Sequence, residues 1–297
     1  IDSIVGSLPG VLCADKVIVQ SEKVRQQYIA SMVSQVKQIT PKMAGEKIAA
    51  LGSPKTDKVW TSKKEDYTIP DAWRKVLEPD GSQPKTVVLY NLSVSSALAH
   101  SQKEKRENYL KKLKKVLNYF RAREDVILWL RPHPLLGSSL LSVQPEMYEE
   151  YQNIIREYRE WGGGIYDDSA DLNRAIACVD ACYGDSSSVN LLFQFIGKPV
   201  LIQRIEDMDE EFELKSSREE MKDRMDLLTR DKERYYYFIY GETSQDGSIG
   251  DFHLADFIEH MDVIREYGAA QSARYRGCYI NADGTAGQKI YRYVSRI

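Results

Sequence analysis

The sequence predicts an α/β protein built on a parallel sheet, and three observations carry that prediction. Short continuous apolar runs recur at 86–90, 126–130, 179–183 and 199–202, with the length and character of strands covered on both faces. Stretches of helical period lie between them, at 102–121, 145–160 and 189–196. Small, polar or ring-constrained residues follow the runs, at 91–96, 131–134 and 184–188. Alternation at this spacing argues for βα units with right-handed crossovers, hence helices on both faces of the sheet.

The elements follow in order. Residues 16–21 read as a short strand ending at a polar turn, and Ser21 with Glu22 and Lys23 starts a helix to about 34, whose Val24, Tyr28, Met32 and Val36 repeat at helical spacing. Gly52 and Pro54 predict a turn at 51–55. The stretch 60–85, with prolines at 70, 79 and 84, reads as an irregular crossover with one short helix at 71–77. In the helix 102–121, Tyr109, Leu113, Val116, Leu117 and Phe120 form a buried stripe, and lysines cover the other face. Met147, Tyr151, Ile154, Ile155 and Tyr158 do the same in 145–160, which Gly162 to Gly164 end. A strand at 165–166 and a helix at 171–177 come next. The stretch 204–250 is charged, with an aromatic-rich strand candidate at 234–240; a helix at 251–266, a turn at 281–287 and a last helix at 288–294 complete the chain.

Composition narrows the function. Of 297 residues, 42% are apolar and 29% charged, and 41 Lys and Arg against 44 Asp and Glu give a net charge of −3. This argues against disorder and against a dedicated nucleic-acid binder, while leaving room for a local anion site. No run of 18 apolar residues predicts a membrane span. The first residues carry neither a basic region nor an initiator Met, so they read as neither a signal peptide nor a natural beginning. Four cysteines without a CxxC pair predict no disulfide framework and suit a reducing cytoplasm. Four scattered histidines predict no zinc site, and neither a metal nor a cofactor is expected.

Ligands of parallel sheets sit beyond the strand C-termini, which gathers the loops 91–96, 131–134, 167–171 and 184–188 on one rim. Arg131 can bind phosphate with both arms of its fork, and His133 can donate to a phosphate oxygen or act as an acid; a turn with a surface Arg and a packed His is the plainer reading. The run Gly184-Asp185-Ser186-Ser187-Ser188 at a helix start suits an anion, against simple capping by one serine. Asp185 could orient a hydroxyl or cap, and Ser93 joins the donor-binding set from the neighbouring loop. No GxxxxGK[ST] or GxSxG is present. Asp167, Asp168, Ser169 and Asp171 could hold a divalent ion or ribose hydroxyls, or cap a helix. The lysines of 111–115 could touch anionic lipid or a polyanionic substrate, or form a solvated helix face. Cys178 and Cys182 read as buried apolar fillers.

Several segments together resemble the CDP-glycerol glycerophosphotransferase family of teichoic-acid synthesis. They are Asp15-Lys16-Val17-Ile18-Val19-Gln20-Ser21, Leu51-Gly52-Ser53-Pro54-Lys55-Thr56-Asp57, Arg131-Pro132-His133-Pro134, Asp185-Ser186-Ser187-Ser188, Gly197-Lys198-Pro199-Val200 and, less specifically, Asp283-Gly284. The resemblance implies a GT-B-like fold of two Rossmann-like domains, of which 1–60 is the remnant of the N-terminal domain and crossover, the rest of that domain being absent, and 61–297 the donor-nucleotide-binding domain. It implies that His133 and Arg131 contact the diphosphate of CDP-glycerol, with Ser187 and Ser188 beside it and Asp185 positioning the loop. It implies transfer of glycerol phosphate to a polyanionic or lipid-linked acceptor of the bacterial cell wall, in the cytoplasm and at the inner face of the anionic membrane. An aromatic usually stands where this chain has Ser186, which leaves a related nucleotide-activated donor open. The alternatives are a GT-B glycosyltransferase using a nucleotide sugar, with Glu206 or Asp207 on the sugar hydroxyls, and a non-catalytic nucleotide-binding module.

Overall fold

The computed structural model describes residues 5–78, 84–98, 103–203, 205, 209–230, 239–240 and 252–296. Contacts divide the chain into two units, Ile1–Ser62 with Ala273–Ile297, and Lys63–Ser272. The terminal stretch, assigned by sequence to a 61–297 domain, thus groups with the first unit.

In the first unit β1 (Val17–Val19) pairs in parallel with β2 (Ile48–Ala50) over a small core of Val19, Met32, Ala44 and Ile48. Ser21 Oγ accepts from Val24 N at 3.2 Å and caps the helix Glu22–Gln35. The turn expected at 51–55 is shorter than that. The helix Pro54–Thr61 begins inside it, because a proline in the first helical turn gives up an N–H that has no partner there anyway. Gly52, at φ +93°, brings its backbone so close to Ile280 that a Cβ would lie 2.2 Å from the Ile280 carbonyl oxygen. Asp57 then accepts from Ala286 N (3.2 Å) and Gly287 N (2.7 Å), capping the helix Ala286–Val294 from 229 residues away.

Among the described residues, the second unit holds a six-stranded, all-parallel sheet of β3 (Thr86–Leu92), β4 (Val126–Pro132), β5 (Ile165–Tyr166), β6 (Ala181–Gly184), β7 (Val200–Ile202) and β8 (Ile239–Tyr240). Their order is β5-β4-β3-β6-β7-β8. Every residue of β4, and every residue of β3 after Val87, is buried on both faces. One face, through Val88, Tyr90, Leu128, Leu130 and Tyr183, packs on the helices Lys103–Arg121, Pro145–Trp161, Arg218–Thr229 and Leu254–Glu259. Side chains alternate along a strand, so Leu89 and Trp129 face the other way, where Trp129 meets the edge of Trp73 on the helix Asp71–Leu77 at 5.0 Å. The predicted Rossmann-like sheet with helices on both faces is the architecture found.

The structure refines four expectations. In the basic stretch 111–115 Lys111 and Lys114 are exposed and Lys115 is half-buried, as a solvated helix face requires, while Lys112 turns inward. Lys112 is buried against Glu211, Lys114 pairs with Glu150 at 2.6 Å and Lys115 with Asp209 at 2.7 Å. The charged stretch 204–250 contains the helix Arg218–Thr229, opened by a Ser217–Glu220 capping box. The predicted 251–266 helix is two, Leu254–Glu259 and Met261–Gly277, breaking at His260, whose Nε2 lies 2.7 Å from the Ser216 carbonyl oxygen. The helix Leu136–Val143 follows a loop in which the sequence signalled only a turn. Of the 234–240 strand candidate, 239–240 form β8 and the rest lies outside the described residues. Among the described residues no helix is long and apolar enough to cross a membrane.

Candidate functional site

Parallel register decides which loops meet. Leu92 on β3 is level with Pro132 on β4, and Asn91 is level with both Arg131 and Gly184. The register extends past the strands: His133 N donates to the Leu92 carbonyl at 2.8 Å, and Asp185 N to the Asn91 carbonyl at 2.9 Å. Ser93, His133 and Ser186 therefore leave three adjacent strands at one level. Neighbouring strands stand about 4.8 Å apart, so the β4 and β6 ends are roughly 10 Å apart with the β3 loop between them. Gly184, at φ +136°, is required here, since a Cβ would lie 2.2 Å from the Asn91 carbonyl oxygen.

His133 is exposed, and its Nδ1 accepts from Leu135 N at 3.1 Å. The neutral ring therefore carries its hydrogen on Nε2, a donor beside the rim. Ser186 and Ser188 are exposed as well. Ser187 is committed internally: its Oγ accepts from Val189 N (3.1 Å) and Asn91 Nδ2 (2.9 Å) and donates to Asn190 Oδ1 (3.0 Å), which makes it the cap of the helix Ser188–Ile196. Ser93 is buried and caps the short helix Val94–Leu98, its Oγ accepting from Ser96 N at 3.1 Å and lying 3.1 Å from Ser95 Oγ.

Arg131, expected on the diphosphate, and Asp185, expected in the donor-binding set and as the residue positioning its loop, both point into the protein. Arg131 is 8% exposed; Nη1 pairs with Asp167 Oδ2 at 2.6 Å and Nη2 donates to the Ser169 carbonyl at 2.7 Å. Its fork clamps the loop after β5 to the end of β4. Asp167 also accepts from Trp129 Nε1 (3.0 Å) and Ser169 N (3.0 Å), and Arg174 Nη2 lies 3.6 Å away. Arg174 in turn covers the Trp73 ring at 4.7 Å. Asp167 is thus an anchor for two arginines, and Asp171 caps the helix Leu172–Cys178 by accepting from Arg174 N at 3.1 Å. No group of three His, Cys, Asp or Glu among the described residues could hold a metal ion.

Asp185 is 1% exposed, and both carboxylate oxygens are taken: Oδ2 by Ser93 N (2.6 Å), with Tyr109 Oη at 3.5 Å, and Oδ1 by Gln203 Nε2 (2.6 Å). Burial is the largest influence on it and pushes the carboxyl up to about 6, against the lowering effect of the Ser93 and Gln203 hydrogen bonds. Asn91, Tyr109, Gln203, Arg174 and Trp73 were not singled out as site residues from the sequence. Gln203 stands one residue past the predicted 199–202 strand, where the strand-end rule points. Tyr109 reads as core because only its hydroxyl reaches Asp185. Glu206 and Asp207 lie outside the described residues.

Three further family-like segments have local structural work. Gly197, at φ +78°, ends the helix Ser188–Ile196, and Lys198 Nζ donates to the carbonyls of Ile176 (2.7 Å), Ala177 (3.1 Å) and Val179 (2.5 Å), closing the end of the helix Leu172–Cys178. Burial lowers this ammonium to about 8. The 51–57 and 283–284 segments meet in the first unit through the Asp57 cap.

No family model matches the chain, and no curated protein matches it. Among solved structures, the chain is similar to the wall teichoic acid polymerase TagF, at 16% identity over 95% of this chain and 57% of that one, with a TM-score of 0.46. It is similar to a variant of the same polymerase soaked with CDPG, at 14% identity over 95% and 57%, with a TM-score of 0.49. A structure described as a UDP-N-acetylglucosamine 2-epimerase from Listeria monocytogenes is similar at 17% identity over 95% and 59%, with a TM-score of 0.47. The chain spans less than three fifths of the length of these proteins.

Proposed function

We propose that this chain is the donor-binding half of a CDP-glycerol glycerophosphotransferase and holds the donor's diphosphate on the rim of its larger unit. The observation that carries the reading is the common level of Ser93, His133 and Ser186 on adjacent strands, on loops whose motifs resemble that family. His133 Nε2–H donates to a phosphate oxygen, and the Ser186 and Ser188 hydroxyls with the start of the helix Ser188–Ile196 supply further donors. Arg131 serves as a positioning residue, fixing the β5 loop through Asp167 and Ser169.

In the transfer, an acceptor hydroxyl oxygen forms a bond to the β-phosphorus of CDP-glycerol. The bond from that phosphorus to the bridging oxygen breaks, CMP leaves with the electron pair, and the hydroxyl proton passes to solvent. Donors fixed in advance at the phosphates stabilise the charge that moves onto the bridging oxygen. The acceptor is a polyanionic or lipid-linked teichoic-acid-like polymer, met at the inner face of the membrane.

Calorimetric titration of CDP-glycerol against UDP-sugars tests the donor, and CMP release with a glycerol-phosphate acceptor tests the chemistry. Preference for CDP-glycerol with CMP release is expected. Preference for a UDP-sugar replaces the donor, and binding without CMP release makes the chain a nucleotide-binding module.

A further inference from the structure

A polar seam crosses the apolar layer between the six-stranded sheet and the helix Lys103–Arg121. It starts halfway along that helix, where the buried Lys112 ammonium pairs with Glu211 on the turn Asp209–Phe212. Glu211 Oε1 also accepts from Tyr183 Oη at 2.6 Å. The Tyr183 ring on β6 stacks on Tyr90 of β3, centroids 5.3 Å apart. Tyr90 Oη donates to Gln203 Oε1 at 3.0 Å, Gln203 Nε2 donates to Asp185, and Asp185 accepts the Ser93 amide on the rim.

Such a seam is an expensive way to fill a core. Burying ions costs desolvation that their mutual attraction seldom exceeds, and apolar residues of similar size often pack as stably or better. What ions and amides add is direction, because hydrogen bonds fix geometry where apolar contact does not. The geometry here is specific. Gln203 at the end of β7 is tied to Tyr90 on β3, two strands away, and Glu211 is tied to Tyr183 on β6, the strand between them.

We infer that the seam is a positioning device for the rim: Lys112, Tyr183, Glu211 and Gln203 hold Asp185 on the Ser93 amide, so that the loops after β3 and β6 keep the spacing at which a ligand binds. This rests on the donor-site reading only for what the rim binds; the positioning itself does not depend on it.

The test is the triple variant Lys112→Met, Tyr183→Phe, Glu211→Leu in the whole chain, which removes every polar group of the inner half together. Expected are a Tm equal to or above that of the parent, Ser93 amide exchange at least tenfold faster, and CDP-glycerol affinity at least tenfold weaker. A Tm that falls along with affinity would make the seam a stabilising element and overturn the inference, as would unchanged exchange and affinity. Should the triple variant fail to fold, Tyr183→Phe alone is read by Ser93 exchange, which rises several-fold if the inference holds and stays at the parent rate if it does not. If the parent chain binds no CDP-glycerol, the donor reading falls, and Ser93 exchange still decides the seam.

Discussion

The rim carries two fully buried carboxylates, and they are held in opposite ways. Asp167, after β5, meets two guanidiniums, an indole N–H and a backbone amide. Asp185, after β6, meets no cation among the described residues and is held by a backbone amide, a glutamine amide and a more distant phenol. At the first, two guanidiniums lie against the buried carboxylate. At the second, burial outweighs the hydrogen bonds and pushes the acid up to about 6. One end of the rim is therefore locked by charge, while the other is held by hydrogen bonds around a group that titrates in mild acid.

The largest expected effect comes from breaking the charge lock. Asp167→Asn leaves the Arg131 and Arg174 guanidiniums without the anion they share and should cost about 3–5 kcal/mol in denaturant unfolding; a loss below about 1 kcal/mol would show that the two carboxylates do not differ in kind. The next effect is a pH dependence. Asp185 has a folded pKa above its unfolded value of about 3.9, so the native state takes up its proton first. Stability relative to Asp185→Asn should be greatest near pH 4 and decline as pH rises through 6, by on the order of 2 kcal/mol. Parallel urea titrations from pH 4 to 8 check this, and a gap that stays constant or widens with pH removes the titratable half of the comparison.

Arg131→Lys sharpens the locked half. A lysine keeps the charge facing Asp167 but cannot also reach the Ser169 carbonyl, so about 1–2 kcal/mol should be lost; a Tm equal to the parent's would mean charge alone suffices. His133→Ala belongs to neither network and should move stability by no more than about 0.5 kcal/mol, while weakening CDP-glycerol binding. Unchanged affinity in calorimetry would take His133 out of the site.

The parallel sheet was legible because β3 and β4 are covered on both faces, and such strands read as unbroken apolar runs. The rim was legible for the same reason, since strand ends dictate where loops gather. The direction in which Arg131 and Asp185 face was not. A charged residue one or two places past a buried strand can turn outward to a ligand or inward to a partner, and Asp167 and Gln203, which decide the matter, are 36 and 18 positions away. Lys112 misled for a related reason: four lysines around Leu113 look like a wet face, and only the distant Glu211 explains why one of them is buried. The helix Arg218–Thr229 hid in a charged stretch whose apolar residues, Met221, Met225 and Leu228, are spaced for one face but widely diluted.

The cap that Asp57 places on the helix Ala286–Val294 has a consequence for biosynthesis. The larger unit is one uninterrupted stretch and can close as soon as it clears the ribosome. The smaller unit is begun before the larger one and completed after it, because Asp57 caps amides made 229 residues later. Closing the small unit therefore joins segments made on either side of the larger one, and it depends on contacts of very long sequence separation.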